Sequence, residues 1–449
     1  MMYKYEQIYQ EIERKIKNKI YIEGTKIPSI RQLCEAFNCN KGTIIAALQA
    51  LERDHYIYSV PKSGYYVVHR SITASDPSEV LNFSSSIPKW SLFPYLDFQH
   101  CMNRSIEFYQ QDLFTYGDSQ GFNPLISNVK ALLESYQVFA KSKDIYITSG
   151  AQQALYILTQ IPFPNNRTNI LVEQPTYHVF TSFLNTRIST VRGIRRSAAG
   201  IDFDELERIF QEEQIKFFYV IPRFHNPLGT SYTRKEKLEL LRLAYKYNVY
   251  IVEDDYLADL DQNSKADPIF AYDTHQQVIY LKSFSKVIFP SLRLAATVIP
   301  DAIAQSFHDY KRHIDINSSM VSQAALDVYI KNGMFSRNKK ILAQSYGDLA
   351  QELNKALKKH HLADSNIQIY YSDQSPSTKA AILLPPRCHM GQITKALERK
   401  HIIVESIAQN YIQHFEQENI LKLDVSTIDL HRIDEGIEQI MNEISRSIR

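Results

Sequence analysis

A lysine that bonds to an aldehyde must shed its charge and stand on a rigid support beside the carbonyl. Lys286, in Ser283-Phe284-Ser285-Lys286, follows Val278–Leu281, a short apolar run that reads as a buried strand. Seven residues on is Arg293, whose planar paired donors suit a phosphate dianion. The Ser283 hydroxyl can add to the same anion site. Asp254 closes a second apolar run, Val249–Glu253, where a carboxylate can keep a ring nitrogen protonated. Asp255 is the alternative, and Asp254 is preferred. Tyr256, two residues further, can hydrogen-bond a ring oxygen. Asn226, in His225-Asn226-Pro227-Leu228-Gly229, can donate to that oxygen through its amide. Ser149-Gly150-Ala151-Gln152 follows the run Ile145–Thr148 and opens a helix, where free backbone N–H groups bind phosphate. Tyr177, in Gln174-Pro175-Thr176-Tyr177, can stack on an aromatic ring. Singly, each feature has an ordinary reading: a surface Lys and Arg, a solvated acidic loop, an Asn-Pro turn, a core tyrosine. Their common position, just past apolar runs, is what sets them apart.

Those positions require a particular scaffold. Strand candidates are Ile145–Thr148, Ile170–Glu173, Phe217–Ile221, Val249–Glu253, Val278–Leu281 and Leu294–Ile299. Helical segments alternate with them. In one, Thr233 and Glu236 form a capping box, and Leu238, Leu241 and Tyr245 share a face. Such alternation predicts an α/β fold with a mostly parallel sheet covered on both sides. Ligands of such sheets bind at the carboxyl ends of the strands. Residues from about 320 onward carry longer helices and fewer strands, as in a smaller α+β lobe.

The first 70 residues are different. Tyr5 to Ile20 has apolar residues at 5, 8, 9, 12, 16 and 20, a helical period. Ser29 is placed to cap a second helix, and a third runs from about Lys41 to Arg53. Tyr56–Tyr58 and Tyr65–Val68, around Pro61-Lys62-Ser63-Gly64, read as a hairpin. Residues 71–82, small and polar, read as a linker. A helix-turn-helix would set the start of the third helix, Lys41-Gly42-Thr43, against base edges. Arg31, Lys62 and Ser63 would then reach phosphates or the minor groove. A three-helix protein-interaction module fits the same spacing.

Charge and composition narrow the classes. The chain has 449 residues and a net charge of +2. Residues 1–70 hold 11 Lys and Arg against 7 Asp and Glu, a net of +4, while the remainder holds 40 against 42. A basic head suits a polyanionic partner, although solvated charge alone would look the same. The N-terminus lacks the apolar core of a signal peptide, and no apolar run is long enough to span a membrane. Cys34, Cys39, Cys101 and Cys388 form no metal-type spacing, so no metal site is expected, and a reducing cytoplasm is.

The motifs also carry a family resemblance. G-T-K-I-P-S-I-R-Q-L (24–33), T-I-I-A-A-L-Q-A-L-E (43–52) and K-S-G-Y-Y-V (62–67) resemble the winged helix of GntR-type bacterial regulators. The resemblance implies double-stranded DNA as partner, with Ser29, Arg31, Lys41, Thr43, Lys62, Ser63 and Gly64 at the interface. Where the family usually has Ser-Arg, this chain has Asn40-Lys41, which keeps the charge and loses the bidentate fork.

SGAQQAL, EQPTY, HNPLG, VEDDY and SFSKVIFPSLRL together resemble the fold-type I pyridoxal 5′-phosphate (PLP) enzymes, the aminotransferase superfamily. A GntR-type winged helix ahead of such a domain resembles the MocR subfamily of regulators. The implied domains are a winged helix over 1–70, a linker over 71–82 and an aminotransferase-like domain over 83–449. The last divides into a large part, about 115–320, and a small lobe from 83–114 and 321–449. The resemblance implies that Lys286 bonds PLP, Asp254 pairs with its ring nitrogen, Tyr256 and Asn226 bind the 3′-oxygen, and Tyr177 stacks. Gly150, Ala151, Gln152, Ser283, Ser285 and Arg293 would hold the phosphate. Tyr116, in Phe114-Thr115-Tyr116-Gly117-Asp118, resembles a tyrosine that reaches the phosphate of the other subunit, implying a homodimer.

Departures bear on purpose. Where an aminotransferase carries a substrate-clamping arginine within Leu-Arg-Leu, this chain has Leu421-Lys422-Leu423. Lys422 can meet a carboxylate only as a point charge. Thr181, Ser86 and Lys89 also differ from the usual pattern. The expected function is a cytoplasmic, PLP-dependent transcriptional regulator that senses PLP or an amino compound rather than turning it over. The alternatives are a working aminotransferase with an appended DNA-binding module, and a PLP-independent repressor on a vestigial fold.

Overall fold

The computed structural model describes residues 3–448 except 19, 23, 55, 61–62, 68–79, 264–265, 363–365 and 374. Lys62 and residues 71–79 of the expected linker therefore lie outside the described residues, while Leu81–Asn82, at the end of that linker, form a strand paired with Ile402–Ile403 instead. Contacts divide the chain into two compact units, Met1–Glu79 and Val80–Arg449.

In the first unit, helices α1 (Lys4–Lys17), α2 (Ile30–Phe37) and α3 (Lys41–Arg53) precede a hairpin of β1 (Ile57–Val60) and β2 (Gly64–Val67). Ile8, Ile12 and Ile16 line one face of α1 and pack with Leu33, Ile44, Leu48, Leu51, Ile57 and Val67. Tyr5 and Ile20, which share the period, are exposed instead, because the buried stripe is only one residue wide per turn and α1 stops at Lys17. Ser29 caps α2 in a capping box with Gln32, and Asn40 caps α3 by accepting from the Thr43 N–H at 2.9 Å. Leu48 is fully enclosed in this small core. Leu48→Ala is expected to cost about 2–5 kcal/mol, read as faster hydrogen exchange of α3 amides in the full-length protein.

The second unit begins with β3 (Leu81–Asn82), α4 (Tyr95–Tyr109) and α5 (Asn123–Glu134). Alternation then starts: β4 (Ile145–Thr148), α6 (Ala151–Gln160), β5 (Asn169–Gln174), α7 (His178–Leu184), β6 (Val191–Ser197), β7 (Gly200–Ile201), α8 (Phe203–Glu212) and β8 (Ile215–Val220). It continues through α9 (Arg234–Lys246), β9 (Tyr250–Asp254), β10 (Val278–Ser283) and β11 (Ala295–Val298) to α10 (Asp301–Asp315) and α11 (Met320–Lys331). The eight-stranded sheet has the order β4-β11-β10-β9-β8-β5-β6-β7. Strands β10, β9, β8, β5 and β6 run parallel, and β11 is antiparallel to both its neighbours. Since β4 opposes β11, it points the same way as β10, so the carboxyl ends of β4, β5, β8, β9 and β10 share one edge. In α9 the Thr233–Glu236 box forms as expected, but the buried face is Leu240, Leu241 and Ala244. Leu238 lies at the edge of that stripe and is exposed.

The remaining elements are α12 (Met334–Lys359), β12 (Gln368–Tyr370), β13 (Lys379–Leu383), α13 (Met390–Glu398), β14 (Ile402–Ile403), β15 (Glu405–Ser406), β16 (Ile420–Asp424) and α14 (Ile433–Ile448). A four-stranded sheet, β12-β13-β16-β15, carries the second core with α13, α14 and the end of α12. The lobe boundary differs from the sequence expectation. Phe98, Cys101, Leu113, Leu326, Tyr329, Phe335 and Leu342 pack into the core of the large sheet. Of residues 83–114, Phe83 joins the smaller core, together with Leu81 just upstream. The reason is α4, whose apolar side lies along α11 and thereby ties both helices to the large part.

Candidate functional site

The shared carboxyl edge collects the residues that the sequence singled out. Gly150 and Ala151 follow β4, Tyr177 follows β5, Asn226 follows β8, Asp254 ends β9, and Ser283 ends β10 three residues before Lys286. A cavity of about 230 Å³ is lined by Ala151, Gln152, Tyr177, Asn226, Asp254, Tyr256, Ser283, Ser285, Lys286 and Arg293. Ser86, His178 and Ile221 complete its wall.

Strand parity decides between the two aspartates. Tyr250 and Val252 face one core and Ile251 faces the other. Asp254 therefore falls on the Tyr250–Val252 side, which is the cavity side. Glu253 points oppositely and accepts from the Ile269 and Phe270 N–H groups at 2.8 and 2.9 Å. Asp255 lies past the strand and is held by the buried Arg223 guanidinium and the Tyr280 hydroxyl. Asp254 accepts from the Tyr219 hydroxyl at 2.8 Å through Oδ2, while its other oxygen, buried, has no side-chain hydrogen-bond partner among the described residues. Burial pushes the Asp254 carboxyl up to about 7, against the pull of the Tyr219 hydrogen bond. An unsatisfied buried acceptor aimed at a cavity is what a protonated ring nitrogen would complete.

Lys286 Nζ donates to the Ser86 carbonyl at 2.6 Å. Burial brings its ammonium down to about 8, helped by the positive charges of Lys379 and Lys422 and opposed by Asp424. Near neutral pH a larger share than in an ordinary lysine is then the free amine that attacks a carbonyl. Arg293 adopts a left-handed backbone conformation and donates from its guanidinium to the Gln152 carbonyl oxygen at 2.8 Å. Gly150, at φ +80°, lies under that guanidinium: a Cβ there would come within 2.8 Å of it. A glycine, the start of α6 and an arginine thus share one corner, which is the make-up of a phosphate site. Gln152 Nε2 also donates to the Tyr177 hydroxyl at 3.2 Å and fixes that ring at the cavity wall. The Tyr256 hydroxyl is committed, since it donates to the Phe224 carbonyl at 2.8 Å and keeps only acceptor capacity for a ligand. Tyr116 stands apart from this cavity and is 86% exposed. The donor set and the open acceptor on Asp254 fit a phosphorylated pyridine aldehyde.

Several groups here were missed from sequence. Tyr219 orients Asp254, and Arg223 withdraws Asp255. Each would be visible in the alternation of its strand only once the strand order is known. Lys422 lies buried on β16, and its Nζ donates to Glu405 of β15 at 3.0 Å. Lys379 and Asp424 form a second ion pair, almost fully buried. Burial and the nearby Lys422 and Lys286 charges lower the His178 pKa and keep its imidazole neutral.

The state of Asp254 has a measurable consequence. Its folded pKa lies above the ordinary carboxylate value, so the protonated form is favoured by folding. That stability is present in full below the unfolded value near 3.8 and is lost progressively as pH rises through about 7. Without cofactor, the melting temperature of wild type is expected to fall between pH 5 and 8 more than that of Asp254→Asn (about 2 units below to about 1 unit above the folded value). Parallel pH profiles would contradict this.

In the first unit, a separate concave surface of about 560 Å³ is lined by Lys26, Ser29, Arg31, Lys41, Ser63 and Gly64, among others. The starts of α2 and α3 both open onto it, and their free N–H groups favour anions. The Arg31 side chain is 90% exposed and pairs only loosely with Glu35, at 3.3 Å. Ser29 and Thr43 are engaged locally, in the α2 capping box and with Asn40. Ser63 Oγ lies 2.7 Å from the Tyr66 hydroxyl. Gly64, at φ +128°, lets the Lys26 stem lie against the hairpin turn.

Comparison with known proteins assigns each of the two units to a family. Residues 78–440 match the family described as aminotransferase class I and II. Residues 4–67 match bacterial regulatory proteins of the gntR family. The HTH-type transcriptional regulator YcxD of Bacillus subtilis is 44% identical over 99% of this chain and all of that protein. NorG, an HTH-type transcriptional regulator of Staphylococcus aureus, is 27% identical over 70% of this chain and 77% of its own length. Among solved structures, kynurenine aminotransferase of Pyrococcus horikoshii overlays with a TM-score of 0.74 at 23% identity, covering 83% of this chain and 92% of that one. That likeness establishes the fold.

Proposed function

Because the chain belongs to the class I and II aminotransferase family and carries a gntR-family unit at its head, we propose that it is a PLP-dependent transcriptional regulator. Its second unit binds the cofactor and an amino compound, and its first unit binds double-stranded operator DNA. The observation that carries this reading is the convergence of Lys286, Asp254 and Arg293 on one cavity, with Gly150 packed under Arg293, in a chain that also carries a gntR-family unit.

PLP, when bound, supplies an electron-withdrawing ring that makes an attached amine reactive. The chain supplies the rest. Lys286 offers an amine whose neutral form is more accessible than in an ordinary lysine. Asp254 holds a proton on the ring nitrogen through its open oxygen. Arg293, the N–H groups of Gly150, Ala151 and Gln152, and the Ser283 and Ser285 hydroxyls hold the phosphate. Tyr177 stacks on the ring. Asn226 and Tyr256 flank the 3′-oxygen, Tyr256 as an acceptor. Lys286 would be the side chain whose place an incoming amine takes, and the regulator would respond to the extent that the two arrangements of Lys286 bind DNA differently.

A second copy completes the site in this reading. Met102, Ile106, Phe108 and Phe114 are exposed apolar residues on and after α4, and the exposed Tyr116 follows them. Such a patch suits a subunit interface, from which Tyr116 would reach the partner's phosphate. No helix among the described residues is long and apolar enough to cross a membrane, and a cytoplasmic location goes with DNA binding. Sensing is separated from catalysis by turnover. With excess amino donor and keto acceptor, the protein is expected to process no more than about one equivalent per site. Sustained multiple turnover would favour an aminotransferase with an appended DNA-binding module.

A further inference from the structure

The wall beside Lys286 is electrostatically closed in a way that bears on which ligand it takes. Lys422 is buried on β16 and held by Glu405 of the neighbouring strand β15 at 3.0 Å. Two residues along β16, Asp424 is held by Lys379 of β13, and this pair is more deeply buried still. The charges of Lys379, Lys422 and Asp424 are all felt at Lys286, and those of Lys422 and Glu405 at His178, which lines the cavity. His178 itself is neutral.

The balance is then simple. Three lysines face two carboxylates. Lys286 is the group that the cofactor would engage, and the other two cations stand against two carboxylates, each cation paired. A ligand arriving with a carboxylate on its amino carbon would bring a further negative charge beside Lys379 and Lys422, each of which already holds a carboxylate. It would have to compete with Glu405 for Lys422, and a buried charge without a partner is costly. A lysine also lacks the second donor edge with which a guanidinium could serve both carboxylates. A primary amine without that carboxylate meets no such penalty.

Building on the proposed cofactor site, we propose that the Lys422–Glu405 pair makes this cavity select primary amines that lack an α-carboxylate. Glu405 is a specificity-determining residue in this scheme: it occupies the cation that an amino acid would need.

The test uses full-length protein reconstituted with PLP and matched ligand pairs, tyramine against tyrosine and putrescine against ornithine. Binding is read as displacement of the visible band of the lysine-bonded cofactor. The amine is expected to act at a concentration at least about ten-fold lower than its carboxylated counterpart, a difference of one decade in affinity. In Glu405→Gln the ratio should fall by about ten-fold, and Glu405→Asp should restore it. Equal or tighter binding of the amino acids by wild type would overturn the inference, as would a ratio unchanged in Glu405→Gln with its cofactor band intact. A wild-type band that neither ligand moves would also overturn it while leaving the cofactor site standing. Absence of the band in wild type would remove the underlying reading as well.

Discussion

Lys286→Ala is expected to abolish the yellow absorbance of the PLP-reconstituted protein completely. Lys286 is the lysine lining the cavity, and it stands three residues beyond the end of β10, on a rigid edge. Its nearest polar contact is the Ser86 carbonyl, which orients it without consuming it as an ion pair. The other buried lysines nearby are already spoken for: Lys379 by Asp424, Lys422 by Glu405, and Lys282 by Asp259. Lys379 and Lys282 would each have to abandon a buried carboxylate to replace Lys286, which is strongly unfavourable, and Lys422 would have to leave its ion pair with Glu405. Non-covalent contacts through Arg293 and Tyr177 survive the substitution. PLP should therefore still associate weakly and absorb as the free aldehyde. A yellow band that persists in Lys286→Ala, with reducible covalent attachment at another lysine, would contradict the assignment.

The second large effect is on DNA. Replacing Arg31 and Lys41 together by alanine is expected to weaken binding to a DNA fragment carrying the operator by about 100-fold, taking roughly 1–2 kcal/mol for each contact. Both side chains line the concave surface between the starts of α2 and α3 and the hairpin turn. Arg31 has only an exposed partner to lose, and Lys41 sits in the first turn of α3, where base edges are read. Neither belongs to the core of the unit, so folding should be unaffected. Each phosphate contact removed should also lower the slope of log affinity against log salt by about 0.9. An unchanged salt slope and affinity, measured by anisotropy, would move the interface elsewhere.

Much of this was legible in the sequence because the chemistry sits at strand ends. The strands Ile145–Thr148 and Val278–Ser283 announce themselves as short apolar runs, and Lys286 and Gly150 follow them directly. The capping residues Ser29 and Thr233 were equally visible, since a cap is a local hydrogen bond between residues three apart. What needed the structure was whatever depends on neighbours distant in sequence. Tyr219 reaches Asp254 only because β8 lies beside β9. Glu405 meets Lys422 only because β15 pairs with β16, and no spacing links those residues. The lobe boundary moved for the same reason: α4 is amphipathic and could have served either lobe until α11 claimed it. Leu238 misled because a three-residue step leaves a helical face ambiguous at its edges, and the buried stripe runs through Leu240 and Ala244 instead.

The central claim is that one protein couples the chemistry at Lys286 to DNA binding. It is tested most directly by the DNA affinity of the full-length, PLP-loaded protein, measured by fluorescence anisotropy with and without saturating tyramine, in wild type and Lys286→Ala. The account predicts that tyramine shifts the wild-type curve by about five-fold or more, the lower range of allosteric coupling, and leaves the Lys286→Ala curve in place. Identical wild-type curves with and without ligand, at concentrations that displace the cofactor band, would contradict it.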